Sequence, residues 1–483
     1  MKKTFFLTII ILIIAGFIFL ECKQQTATPE KIIAQVLVKQ VASFNASCRT
    51  LEIAACKNNV NEQQLQTLFL KTRLAYKNFE WAAEYFEPVT SRFVNGAPVQ
   101  EIEVSGQVFE PAGLQVIESF IFPKYDATKK NELINQLQKL QQKCAVYNAH
   151  FSKVEILNWQ VFDATKLEVF RIETLGIAGF DDPLSLKSID ECAASLKSLK
   201  DVLLNYGNDK FKNLKTQIED AISYLNHNTD FNSFNRAQFI TAYCNQITTS
   251  ITNLQQQLNI VSIKYNRLLN QDAKTLFDSN AFNINAYAPD QSSFVTTAKI
   301  ALGKKLFSDP ILSSNGIRSC QSCHQPSKAF TDGLMKNTEI GSDKRLNRNT
   351  PTLINAALQA AQFYDLRVNT LEDQSHDVVQ STIEMHGSMK ASVEKLSNDP
   401  LYKKMFTAAF PKKNRTQIDT LEIMNAIGSY VRSLVFLNSR FDEYMRGNSS
   451  VMNADEINGF NLFMGKAKCA TCHYMPLFNG TFP

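Results

Sequence analysis

The chain has 483 residues, 44% of them hydrophobic and 20% charged, a balance that excludes a disordered polypeptide and suffices for about three domains. Lysine and arginine total 51 against 46 acidic residues, a formal charge of +5 without a basic block. That distribution excludes nucleic-acid recognition through an electrostatic footprint.

At the N-terminus, Lys2 and Lys3 precede an apolar run from Phe5 to Leu20, the pattern of a signal-peptide core and shorter than a membrane span. Residues 1–22 therefore read as an export signal, and the chain as periplasmic. Cys22 stands as in a bacterial lipoprotein, whose acylated cysteine gives membrane attachment. Glu21 occupies the place where signal peptidase takes a small residue, so an uncleaved anchor and another cleavage point are the alternatives.

Thr28-Pro29-Glu30 is a helix start, since threonine caps and proline is tolerated in the first turn. Ile33, Leu37, Val41 and Phe44 follow at helical spacing. Similar stripes continue to Leu254, Leu258, Val261, Tyr265 and Leu268 without strong strand alternation, so residues 30–270 are expected to form a helical bundle. Within it, "EPAGLQVIESF" from Glu110 resembles the imelysin-like helical domains, whose signature is Gly-x-His-x-x-Glu. Gly113 and Glu118 match; Gln115 replaces the histidine, and an amide is a far poorer metal ligand than imidazole. From Phe277, "FDSNAFNINAYAPDQSS" has the composition of a connection, and residues 271–290 are read as a linker.

Further on, "RSCQSCHQPSKAFTDG" from Arg318 and "KCATCHYMPLFNG" from Lys468 share a pentad. Cys-x-x-Cys-His attaches c-type haem: thiols at i and i+3 take the vinyl groups and the next imidazole ligates iron. Ten Cys and six His placed at random would give the pentad roughly 0.003 times, by multiplied frequencies, yet it occurs twice. Cys320, Cys323 and His324 are read as one haem site, and Cys469, Cys472 and His473 as the other. A zinc site built from both Cys pairs would leave the two histidines unexplained, and a redox dithiol does not need them. Beyond these and Cys22, Cys48, Cys56, Cys144, Cys192 and Cys244 allow at most two disulfides. Cys48 and Cys56 are nearest in sequence, with buried free thiols as the alternative.

An internal repeat accompanies the pentads. Gly303-Lys-Lys-Leu306-Phe307 leads to the first, and Gly459-Phe-Asn-Leu462-Phe463 to the second, each as a short helix with an apolar Leu-Phe end. The expected fold is mainly α: an N-terminal helical bundle, then two cytochrome c-type haem domains over residues 291–447 and 448–483. Ten residues follow His473, too few for a haem pocket and sixth ligand, so the second domain reads as truncated; completion by a partner chain is the alternative.

"LGKKLFSDPILSSNGIRSCQSCHQPSKAFTDG", "NRNTPTLINAA", "FYDLRVNTLEDQ", "IEM" and "NSRFDEYMRG" resemble, in order and spacing, the bacterial di-haem cytochrome c peroxidase family, which includes relatives that oxidise protein tryptophans. The resemblance implies an oxidoreductase with two covalently bound c-type haems. It would reduce hydrogen peroxide to water with electrons from a small donor such as a cytochrome c or copper protein, and it is compatible with a homodimer. Electrons would pass from the C-terminal haem to the N-terminal one. By position, His324 and His473 are the iron ligands, Glu384 the distal acid and Gln374 the distal amide. A carboxylate beside peroxide can move a proton from the inner to the outer oxygen; the plainer roles are a solvated helix end for Glu384 and a water-facing amide for Gln374. Ser342 stands where many members have a removable histidine ligand, which implies an open first haem, with His376 or His386 as alternative caps. Tyr364 replaces an inter-haem tryptophan, its plainer role being packing between haem domains. Asn349 matches a calcium-binding residue. Two rival functions are electron transfer without turnover and oxidation of protein side chains through high-valent haem iron.

Overall fold

A computed structural model of the chain describes residues 27–102, 107–411 and 418–479; the segment 1–22 and Cys22 lie outside the described residues. Helix Pro29–Cys56 starts at the predicted place, with Thr28 at its N-cap and Pro29 in its first turn. Its stripe of Ile33, Leu37, Val41 and Phe44 is fully buried against helices Glu62–Lys77 and Lys130–Phe151. Helices Leu114–Ile121, Asn158–Thr174, Ser188–Leu203, Asn208–His227 and Asn245–Gln257 continue the bundle. Strand structure among the described residues is one antiparallel pair, Glu101–Ile102 with Val108–Phe109.

The last bundle helix stops short of its apolar stripe. It ends at Gln257, Asn259 turns left-handed with φ 54°, and Val261 and Tyr265 are exposed. Asparagine's tolerance of that conformation prevails over a period carried by few residues. Residues 258–290 are nonetheless packed rather than loose. Leu268, Leu269, Leu276, Phe277 and Phe282 join the bundle core, Arg267 forks onto Asp163 with both bonds at 2.7 Å, and buried Lys166 donates to the Gln271 and Ala273 carbonyls. The remaining cysteines take the free-thiol alternative, with Cys48, Cys144, Cys192 and Cys244 unbridged and buried and Cys56 unbridged and exposed. Residues 48 and 56 lie roughly 12 Å apart along one helix by its rise per residue, and the Cys48 thiol instead lies 3.8 Å from Cys144.

The centre of the bundle is charged. Asp181 accepts from Arg171 through two bonds of 2.9 Å and from Lys77 at 2.6 Å. Lys77 also meets both Glu80 oxygens at 2.8 Å, and Arg73 forks onto Glu191 at 2.5 and 2.7 Å. Burial opposes the Asp181 charge, but Arg171 and Lys77 outweigh it and hold the carboxyl far below its ordinary range. Removing one member of such a buried set costs about 3–5 kcal/mol. The network therefore fixes the backbone it grips, the loop 179–187 between helices Asn158–Thr174 and Ser188–Leu203. Glu173, on the first of these helices, is fully buried and neither carboxyl oxygen has a hydrogen-bond partner. Burial raises its pKa well above the ordinary value, so it folds in as the neutral acid.

A second packing unit starts at helix Thr297–Ser308. It approaches helix Thr420–Arg432 so closely that a Cβ on Gly303 would stand 1.8 Å from the Ala426 carbonyl oxygen. Leu302, Leu306, Met424 and Ile427 are buried in this unit's core. Glu372 forks onto Arg432 at 2.6 and 2.7 Å and accepts from Asn425 at 3.0 Å, tying helix Leu371–Gln380 to the same pair. Helices Arg440–Met445 and Ala454–Met464 pack elsewhere: Met445, Phe460, Met464, Ala470 and Met475 share the core of the N-terminal bundle.

Two outcomes follow. Gly303→Ala is expected to cost about 3 kcal/mol by overpacking. Its repeat counterpart Gly459→Ala, with nothing within 4 Å of the added Cβ, should gain about 0.5 kcal/mol from helix propensity; denaturant unfolding of both variants checks the contrast. For Glu173, the unfolded chain loses its proton near the ordinary 4.5 while the folded chain keeps it, so stability falls as pH rises above that value. Glu173→Gln cannot ionise and should exceed the wild-type Tm by a margin that grows with pH, read in thermal melts from about pH 5 to 8.

Candidate functional site

Each Cys-x-x-Cys pair lies on a single helical turn, which puts the i and i+3 thiols on one side. Cys320–Cys323 is one α-helical turn behind Ser319; Cys469–Thr471 is one 3-10 turn. All four thiols are unbridged. Burial pushes the Cys320 thiol up to about 12, the opposite of the depressed value a reactive dithiol needs.

The two histidines are held alike. Nδ1 of His324 lies 3.0 Å from the Phe330 carbonyl, and Nδ1 of His473 lies 3.0 Å from the Phe478 carbonyl. A carbonyl only accepts, so each Nδ1 carries a proton, and in the neutral ring Nε2 is then the nitrogen with the lone pair. That is the tautomer of a metal-ligating histidine with its second nitrogen anchored. Burial lowers the His324 pKa, which also favours the neutral ring. Both carbonyls come from left-handed residues, Phe330 at φ 60° and Phe478 at φ 55°. The Leu-Phe ends of the repeat arrive as expected, with Phe307 and Phe463 each 6.4 Å from its histidine ring. Thiols, imidazoles and flanking aromatics thus fit two c-type haems. Among the described residues no three His, Cys, Asp or Glu side chains converge as a metal site, so the Cys pairs do not share a zinc.

Glu384 belongs to a turn that docks on the approach to the first pentad. Arg318 donates at 3.1 Å to the Glu384 carbonyl and at 3.1 Å to the Thr338 carbonyl, while the Ile340 amide donates to Ile383 at 2.9 Å and Ser314 to Met385 at 3.1 Å. The Cys323 thiol is raised by burial first, opposed by the Arg318 charge and aided by those of Asp332 and, less, Glu384; the Glu384 side chain itself is half-buried. Gln374 is half-buried on helix Leu371–Gln380, two residues beyond the Glu372–Arg432 fork.

The profile of the di-haem cytochrome c peroxidase family matches residues 297–450. The chain is similar to that family over 154 of its 483 residues. The methylamine utilization protein MauG of Methylorubrum extorquens is 38% identical over 179 residues, covering 37% of this chain and 50% of that protein. Cytochrome c551 peroxidase of Nitrosomonas europaea is 35% identical over 181 residues, covering 37% and 52%. A solved MauG-like protein associated with microbial copper homeostasis aligns at 30% identity and a TM-score of 0.37, over 40% of this chain and 56% of that one. The chain spans about half the length of the curated relatives it matches.

Within this segment the remaining candidates are dispersed. Ser342 is exposed and its hydroxyl accepts from the Lys344 amide at 3.0 Å. His376 pairs with the Gln380 amide nitrogen at 2.7 Å, and His386 is exposed with φ 49°. Tyr364 is 82% exposed, with the Arg348 guanidinium 3.9 Å over its ring. Asn349 and Tyr364 line one surface cavity of about 600 Å³ together with Lys336, Asn347 and Arg348. Three contributors escaped the sequence reading. Phe330 and Phe478 supply the histidine anchors, and their only signal is the Phe-Thr-Asp-Gly and Phe-Asn-Gly that trail the two pentads. Arg318 has no signal beyond its place two residues before Cys320.

Arg318→Lys keeps the charge and loses the fork. Loss of a charged hydrogen bond of about 1.5 kcal/mol should speed backbone hydrogen exchange in the turn around Glu384 about tenfold, measured by mass spectrometry.

Proposed function

We propose that the chain carries the haem centres of a peroxidase that reduces hydrogen peroxide to water with electrons from a small redox protein. The observation that carries this reading is the duplicated pentad with the same histidine anchor in both copies, the first with the Glu384 turn tied by its backbone to Arg318, two residues before Cys320. When bound, c-type haem supplies electrons and the site at which peroxide is reduced.

The chain's own residues would do the rest. The Phe330 carbonyl keeps the His324 proton on Nδ1 and so leaves Nε2 for iron. Glu384 takes the proton from the inner peroxide oxygen and returns it to the outer one, so that water is the leaving group. Peroxide, two electrons and two protons then give two waters. Gln374 orients the substrate by hydrogen bonding. Ser342, where many family members have a removable histidine, favours an accessible first centre over pure conduction. The donor, of cytochrome c or copper-protein type, would deliver electrons at the His473 centre. Lys2, Lys3 and the apolar run to Leu20 support export, and Cys22 supports lipid attachment there.

Glu384→Gln removes the proton shuttle and keeps the size of the side chain. Peroxide turnover should fall at least about 100-fold while a pyridine haemochrome assay still counts two c-type haems per chain. Unchanged turnover would remove Glu384 from its role, and fewer than two haems would remove the premise.

A further inference from the structure

Gly113, Gln115 and Glu118, the bundle's signature-like residues, are all engaged by the fold. Gly113 has φ 84°, and a Cβ there would stand 2.3 Å from the Phe93 and Val94 carbonyl oxygens. Gln115 donates to the Asn95 carbonyl at 2.9 Å. The fully buried Glu118 carboxylate accepts from the Ser185 amide at 2.8 Å and from the Leu184 amide at 3.4 Å. Both amides belong to the loop 179–187. From beneath, the same loop is held by Asp181 on Arg171, Lys77 and the Asn95 amide, the last at 2.9 Å.

The outer side of this loop touches both flanks of the second pentad. The Phe180 ring meets the ring of Tyr474, the residue after His473, edge-on at 5.9 Å. The Pro183 carbonyl accepts from Lys468, the residue before Cys469, at 2.7 Å. Around this contact the approach is tight: a Cβ on Gly465 would stand 2.4 Å from the buried Arg236 guanidinium. Asn461 accepts from the Ala237 amide at 3.0 Å and donates to the Asn235 side chain at 3.1 Å.

We propose that the N-terminal bundle is the docking base of the second haem-binding segment, and that Glu118 is a positioning residue which, through loop 179–187, fixes Lys468 and Tyr474 on either side of the pentad. A carboxylate that accepts from adjacent amides sets the loop's direction, which apolar packing alone does not. The loop in turn presents one ring and one carbonyl to the segment whose histidine is anchored five residues further on, at Phe478. The signature-like residues of the bundle thereby act on the His473 centre by mechanics, without a metal of their own.

The test uses the full haem-loaded protein and backbone hydrogen exchange read by mass spectrometry. Glu118→Ala should free loop 179–187 and speed exchange in residues 466–479 about tenfold, as for loss of roughly 1.4 kcal/mol of local stability, with peptides around the first pentad unchanged. Glu118→Gln keeps one acceptor for the Ser185 amide and should restore most of the protection. In parallel, the electron paramagnetic resonance signal of the His473 haem should move in Glu118→Ala, and that of the His324 haem should not. A freed loop with unaltered exchange in residues 466–479 overturns the proposal. Should Glu118→Ala fail to fold, Phe180→Ala deletes only the outer contact and leaves the ionic core. It must show the same local rise, and its absence is equally fatal. The spectroscopic arm rests on haem attachment at Cys469 and Cys472, but the exchange arm does not, so a chain inert to peroxide that still shows the coupling would sink the proposed activity and leave this inference standing.

Discussion

An imidazole offers two nitrogens, and a metal centre needs one of them committed elsewhere. Here the commitment is made by backbone: the Phe330 and Phe478 carbonyls each hold a histidine Nδ1, and each is aimed by a left-handed phenylalanine. For a residue with a Cβ that conformation costs about 1–2 kcal/mol, which the surroundings must offset. Phe330 is buried in a cluster with Phe307 and Tyr430, while Phe478 packs edge-on against Phe441 and Phe463 at 5.3 and 5.5 Å. The same phenylalanines that close the local cores therefore aim the carbonyls, so packing and site chemistry are not separable at either pentad.

The two units meet that demand from different sources. The first has a core of its own, built where Gly303 lets two helices touch and where the Glu372–Arg432 fork pins the helix that bears Gln374. The second presents Met464, Ala470 and Met475 to the core of the N-terminal bundle. A single short helix such as Ala454–Met464 is marginal alone in water, and burial against the bundle gives it the tertiary contact it needs. Gly459 repeats Gly303 in the sequence but has no close neighbour. The repeat thus preserves a pattern of residues while the packing that explains it differs between the copies.

What could be read in advance follows from how local each signal is. The pentads, the Leu-Phe helix ends and the stripe from Ile33 to Phe44 are patterns within a few residues, and each appears where expected. The stripe from Leu254 to Leu268 failed because one left-handed Asn259 outweighs periodicity beyond a helix end. The phenylalanine anchors sit at unequal distances from their histidines, so no fixed spacing marks them. The 82% exposure of Tyr364 depends on packing that its neighbours in sequence do not encode. The charged bundle centre had no signature at all. Lys77 and Asp181 are 104 residues apart, and charged residues on a helical pattern ordinarily mark a solvated face.

That hidden charge bears on what the bundle is for. Replacing a buried ion network by apolar side chains of similar volume is often neutral or stabilising, so stability alone does not account for Arg171, Lys77, Asp181 and Glu80 at the centre. Their distinguishing property is direction: a forked guanidinium and a bidentate carboxylate allow one relative placement, where apolar surfaces slide. The place where direction is needed is the loop that begins just before Asp181, because its Phe180 ring and Pro183 carbonyl meet single groups on the second pentad. A bundle that merely shielded that segment could have an oily centre. One that holds Lys468 and Tyr474 in place on either side of the second pentad needs hydrogen bonds whose geometry does not drift, and it needs them out of water, where they are not exchanged.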